Sequence, residues 1–211
     1  MKGYLDRYFA DISDRVWHEY LWSHDRLCRR IEPELREQSA QAAAWIGISA
    51  SRRIISGHSA VSIKNLIEAA GCRIEKVLDD PLKQLRPYLF AEFEEPDRIT
   101  VYEERVSKVQ QLLEKERLGV FSDNAHTSSY NCSLAEQVIL AHEFFHFLDY
   151  EGKLTDGISR IRITAFGKLK LQVRVSALSE IAAMAFARDL LALNVHPCIL
   201  DLLLLHNVNF L

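Results

Sequence analysis

The sequence predicts an α+β fold: a small sheet packed against one long helix, behind a layer of helices supplied by the N-terminal part. Three observations predict it. Apolar residues recur at three-and-four spacing through the first third of the chain. The period shortens to two in the middle, and again between residues 158 and 175. Between those two regions, residues 134–150 form a helix with signals at both ends.

The first helical layer is read from Leu5, Phe9, Ile12, Val16, Tyr20, Leu21, Leu27 and Ile31, a run that Pro33 interrupts. Its aromatics, Tyr4, Tyr8, Phe9, Trp17, Tyr20 and Trp22, read as a packing stripe. A second helix is expected from Pro33 to about Gly47 and a third from about Val61 to Ala70, ending at Gly71. Extended segments follow at Arg73–Val77, Tyr88–Phe93 and Ile99–Tyr102, the last after the turn signal Glu95-Pro96-Asp97. A short helix spans about Val106 to Arg117, and the polar stretch Ser122–Asn131 reads as a loop carrying His126 and Tyr130. These boundaries divide the chain into an N-terminal helical region, 1–58, and a second region, 59–211, that together also suit one compact unit.

Composition narrows the function classes. The chain has 211 residues, 48% of them hydrophobic, with 26 basic against 29 acidic side chains. A formal net charge of −3 offers no footprint for phosphate backbones and argues against nucleic-acid binding as the main role. No apolar run reaches about 18 residues, so no membrane span or membrane partner is expected. The charged, amphipathic start lacks the apolar region of a signal peptide. Four scattered cysteines, with no CxxC pair, suit a reducing compartment, and the expected location is cytoplasmic.

The chemistry is concentrated in the helix that Ser133 opens. Ser133 and Glu136 have the spacing of a reciprocal capping box, and Gly152 lies where a helix commonly stops. His142 and His146 are one turn apart on one face, with Cβ atoms about 5–6 Å from each other, so both imidazoles can reach one ion. Glu143 lies about 100° round the helix, beside an open coordination position rather than in it. HExxH on a helix is therefore a zinc-peptidase pattern: the metal acidifies a water and the glutamate moves its proton. Two histidines hold zinc poorly, and Glu180, near the start of a later apolar helix, is the candidate third ligand. Asp149, three residues after His146, is a rival ligand but reads better as a partner orienting a histidine, or as a solvated charge. His126 and Tyr130 are candidate donors to a developing oxyanion.

Leu140-Ala141-His142-Glu143-x-x-His146, followed by Glu180-x-x-Ala183-x-x-Phe186-Ala187-x-x-Leu190-Leu191, resembles the ImmA/IrrE metallopeptidase family. The upstream segment from Ser62 to Ile74 and the strand Ile99–Tyr102 agree more loosely, giving coverage of about residues 60–195. The resemblance implies a zincin-like domain and zinc held by His142, His146 and Glu180, with Glu143 as general base and then acid. It also implies cytoplasmic cleavage of a specific regulatory protein, often a helix-turn-helix repressor. Two departures bear on activity: Phe145 replaces a glycine inside the motif, and Met184 replaces the usual asparagine. They keep open a non-catalytic, metal-containing regulator that sequesters a repressor. A weak helix-turn-helix rhythm from Trp45 to Leu66 leaves a DNA-binding regulator as a third reading.

The interval of 34 residues from His146 to Glu180 holds a predicted hairpin, Ile158–Thr164 and Leu169–Val175. Its polar face carries Arg160, Arg162, Lys170 and Arg174, a solvated edge or a basic ribbon beside the cleft. The C-terminal run from Pro197 to His206 reads as a packed helix.

Overall fold

A computed structural model describes residues 9, 11–57, 62–78, 89–115, 132–165 and 169–208. Helix α1 (Asp14–Ser23) and a 3-10 turn (Cys28–Arg30) lead into α2 (Pro33–Gly57) and α3 (Ile63–Ala69). Strands β1 (Arg73–Val77), β2 (Ala91–Glu94) and β3 (Arg98–Tyr102) precede α4 (Glu103–Lys115) and the long helix α5 (Leu134–Gly152). A helical turn, α6 (Asp156–Ser159), runs into the hairpin β4 (Arg160–Ala165) and β5 (Leu169–Arg174). Helices α7 (Ala177–Leu190) and α8 (Ile199–Val208) complete the described chain. The α+β class expected from the sequence is the observed one.

Helix α2 differs most from expectation. It runs unbroken through Gly47, where a helix end was expected, for ten further residues to Gly57. Gly47 serves packing. A Cβ there would stand 2.1 Å from the Ala182 carbonyl oxygen and 2.9 Å from the Phe186 nitrogen, so the backbones of α2 and α7 touch. Ala40, Ala43, Gly47 and Ala50 recur at helical spacing on this buried face. Small side chains are what allow so close an approach.

The sheet has the order β1-β3-β2, with β1 parallel and β2 antiparallel to β3. Ile99 and Val101 of β3 are buried, as the central position of that strand requires. Strand β2 lies at an edge and packs against α5. Helix α5 is buried on nearly every side, and α7 lies against both α5 and α2. One contiguous apolar cluster links Trp17 and Trp22 of α1 to Leu203 and Leu204 of α8. The C-terminal run is thus a packed helix, as expected.

The capping box is only half made. Ser133 Oγ accepts the Glu136 backbone N–H at 3.2 Å, but the Glu136 carboxylate turns to Lys64 and Lys76, at 2.9 and 3.0 Å. Two ammonium groups outcompete one backbone N–H for a carboxylate. At the other end the left-handed residue is Lys153, with φ of 48°, one position after Gly152. Ile158 and Ser159, expected in the hairpin, lie in α6 instead. All four cysteines are free. Among the described residues, no helix is long and apolar enough to cross a membrane.

Candidate metal centre

Helix α5 presents His142 and His146 on the face turned toward α7, and the first turn of α7 presents Glu180. The two Nε2 atoms are 3.1 Å apart. Glu180 Oε2 is 3.2 Å from His142 Nε2, and Glu180 Oε1 is 3.4 Å from His146 Nε2. Ligand atoms about 2.0–2.2 Å from a shared zinc ion at tetrahedral angles stand about 3.3–3.6 Å from one another. The observed separations come within a few tenths of an ångström of that triangle, so these three residues fit a divalent metal ion. Sequence spacing brought the two histidines together on one turn. The tertiary contact of α5 with α7 supplies the carboxylate.

Charge couples the histidines to the carboxylate. Burial alone would push the His146 imidazole down, but the Glu180 carboxylate outweighs it, with Glu143 and Asp149 adding, and holds the ring at about 9. Burial would raise Glu180, yet the His146 charge and hydrogen bonds from both rings hold it well below the usual carboxylate range.

Glu143 is buried and points to the sheet: its Oε2 accepts the Phe93 backbone N–H at 2.9 Å. The Tyr102 N–H donates to the Phe90 carbonyl at 2.9 Å, so the 90/102, 92/100 and 94/98 pairs bond to each other. Residues 91 and 93 therefore direct their backbone groups off the edge of β2 that no other described strand covers. That edge, the three ligand residues and Glu143 border one open cavity of about 810 Å³.

Asp149 is not a solvated charge, and it stands outside the group of ligand atoms formed by His142, His146 and Glu180. It is buried, its Oδ1 accepts the Thr155 N–H and its Oδ2 the Thr155 hydroxyl, both at 2.7 Å, which fastens the chain after α5. Among the described residues it makes no direct bond to a histidine. Its Oδ2 also accepts the Ser179 hydroxyl at 3.0 Å, and Ser179 Oγ lies 3.3 Å from His146 Nδ1, so the expected orienting contact runs through a serine. His142 Nδ1 is buried without a hydrogen-bond partner among the described residues. The candidate oxyanion donors His126 and Tyr130 lie outside the described residues.

The two departures from the family pattern point different ways. Phe145 is fully buried, with its ring centroid 5.6 Å from that of Phe186, so its bulk fills the core and not the cleft. Met184 does line the cavity. Of the hairpin's basic residues only Arg174 reaches the cavity wall; Arg160 and Arg162 border a shallow groove against α2.

Three positions at or behind the candidate site were missed in the sequence. Tyr20, read as packing, lines the cavity and donates its hydroxyl to Asp201 Oδ2 at 3.4 Å. Burial pushes Asp201 up to about 7, against the pull of His142 and Tyr20. Asp25 caps α7 from outside: its Oδ2 accepts from Ser176 N at 2.9 Å, Ser176 Oγ at 3.0 Å and Ala177 N at 3.2 Å. No local pattern announces a cap that reaches across 151 residues. A scan of protein-family models and searches of curated proteins and solved structures found no match to this chain.

Proposed function

We propose that the protein is a zinc-dependent endopeptidase of zincin-like architecture, similar to the ImmA/IrrE family, that cleaves a specific regulatory protein such as a helix-turn-helix repressor. The observation that carries this reading is the convergence of His142 Nε2, His146 Nε2 and Glu180 at 3.1–3.4 Å beside the buried Glu143, in a cleft bordered by a free strand edge. His142, His146 and Glu180 would hold the ion. When bound, zinc supplies Lewis acidity, which lowers the pKa of a water and polarises a carbonyl.

The chain's own residues do the rest. Glu143 takes a proton from the attacking water and delivers it to the leaving amine, the two halves of general base and acid catalysis. The Phe93 N–H holds that carboxylate against β2, so the base stands beside the line on which an extended peptide pairs with the edge. The off-sheet backbone groups of Ala91 offer such a peptide its first hydrogen bonds. Phe145, packed inward, does not obstruct this path.

Elemental analysis of the purified protein is expected to find about one equivalent of zinc, lost in His146→Ala. Glu143→Gln should keep the zinc and lose peptide hydrolysis by about 10²–10⁴-fold. A Glu143→Gln protein with its zinc and its full biological effect intact would make the protein a sequestering regulator, not a peptidase.

A further inference from the structure

The environment of His146 differs from that of its neighbour in one respect: a serine and an aspartate stand behind it. The Asp149 Oδ2 accepts from the hydroxyls of both Thr155 and Ser179. A serine has one hydroxyl proton. Once that proton is given to Asp149, the Ser179 oxygen can only accept from His146 Nδ1, 3.3 Å away. The Ser179 oxygen therefore draws the proton of a neutral His146 to Nδ1, against the Glu180 carboxylate that draws it to Nε2, and so favours the lone pair on Nε2, the atom that faces His142 and Glu180. His142 has no such support at its own Nδ1 among the described residues.

We infer that Ser179 and Asp149 form a positioning relay that sets the ring tautomer of His146 and presents its Nε2 lone pair to the ligand cluster. The relay's geometry stands by itself; its purpose rests on the metal reading proposed above. Ser179 adjoins Glu180, so one turn of α7 supplies both a ligand atom and the group that aims another ligand. The Thr155 N–H, bonded to Asp149 Oδ1 at 2.7 Å, fixes which carboxylate oxygen faces Ser179.

That last contact makes the relay reversible by a single isosteric change. In Asp149→Asn the Thr155 N–H requires the amide oxygen at the Oδ1 position, which puts the amide nitrogen opposite Ser179. The amide then donates to Ser179 Oγ, and the serine proton turns to His146 Nδ1. The ring is driven to the Nε2–H form, which blocks the atom that must bind metal.

The test is ¹⁵N-detected NMR of the ring nitrogens in the full chain, stripped of metal by chelation and followed across pH to the plateau where the same spectra show His146 neutral. Wild type should show a larger share of the Nδ1–H tautomer than Asp149→Asn, in which the Nε2–H share rises. Zinc affinity, measured by competition with a chromophoric chelator, should fall about 10- to 100-fold in Asp149→Asn and in Ser179→Ala. Ser179→Thr, which keeps the hydroxyl, should restore it. Should Asp149→Asn fail to fold, Ser179→Ala carries the test through loss of the Nδ1–H preference. An unchanged His146 tautomer in the variants, or unchanged zinc affinity in both, overturns the relay. A wild-type protein that binds no zinc but shows the tautomer switch would sink the peptidase reading while leaving the relay standing.

Discussion

His196 shows how a single side chain can set the acid limit of this fold. Its ring is buried and stacked on Trp17 at 5.1 Å, and its Nδ1 accepts the Cys198 backbone N–H at 3.3 Å. Burial, with the charges of Arg188 and His18 adding, pushes it down to about 3. Between about 6.5 and 3 the unfolded chain takes up a proton that the folded chain refuses. Stability present above pH 6.5 is therefore lost as pH falls through that window, at up to about 1.4 kcal/mol per pH unit. Denaturant titrations across this range should show His196→Phe with a shallower acid limb than wild type. An identical limb would mean that the ring is protonated in the native state.

At the scale of elements, the contact of α2 with α7 gives the least intuitive expectation. Glycine within a helix is ordinarily inferior to alanine by about 1 kcal/mol, so propensity alone says that Gly47→Ala stabilises. Here a Cβ would stand 2.1 Å from a carbonyl oxygen of α7, and one helix must move. Overpacking costs about 1–3 kcal/mol, occasionally more, and so exceeds the propensity gain. Urea unfolding should place the Gly47→Ala midpoint below wild type, whereas Gly57→Ala, with nothing within 4 Å of the added carbon, should show no such loss. The same residue marks where sequence reading stops. A glycine after an apolar run looks like a helix end, because terminal glycines are common and buried close approaches leave no local signature. Where signals were local they served well: Ser133 opens α5, and the spacing of His142 and His146 puts both rings on one turn. Glu180 was reached through its motif, since nothing in the periodicity of α7 separates a ligand from a surface charge near a helix start. Glu136 fits a local capping rule and still turns elsewhere, because Lys64 and Lys76 arrive from outside the helix.

At the scale of the whole molecule, the N-terminal layer reaches into the candidate centre. Asp25 follows α1, yet it satisfies the backbone N–H groups that open α7, three residues before Ser179. Replacing an N-cap acceptor costs about 0.5–2 kcal/mol, and Asp25→Ala should lose an amount of that order in thermal or denaturant unfolding. Because α7 carries both Ser179 and Glu180 in its first turn, the same variant should also bind zinc more weakly. Calorimetric titration with the ion checks this. Unchanged affinity in a destabilised Asp25→Ala protein would mean that packing on α2 and α5 suffices to place the helix. Tyr20 and Asp201 meet at the cavity in the same way, from positions 181 residues apart.

Such long separations order events during synthesis. A growing polypeptide holds both imidazoles while the residue that completes the triangle is still 34 positions from being made, and the acid that will steady that residue's helix has waited since the first turns of the chain. A half-built molecule therefore has no firm grip on an ion, and on the proposed chemistry it cannot attack its neighbours on the ribosome. On that same proposal, hydrolytic power would arrive only when the distant parts have closed upon one another.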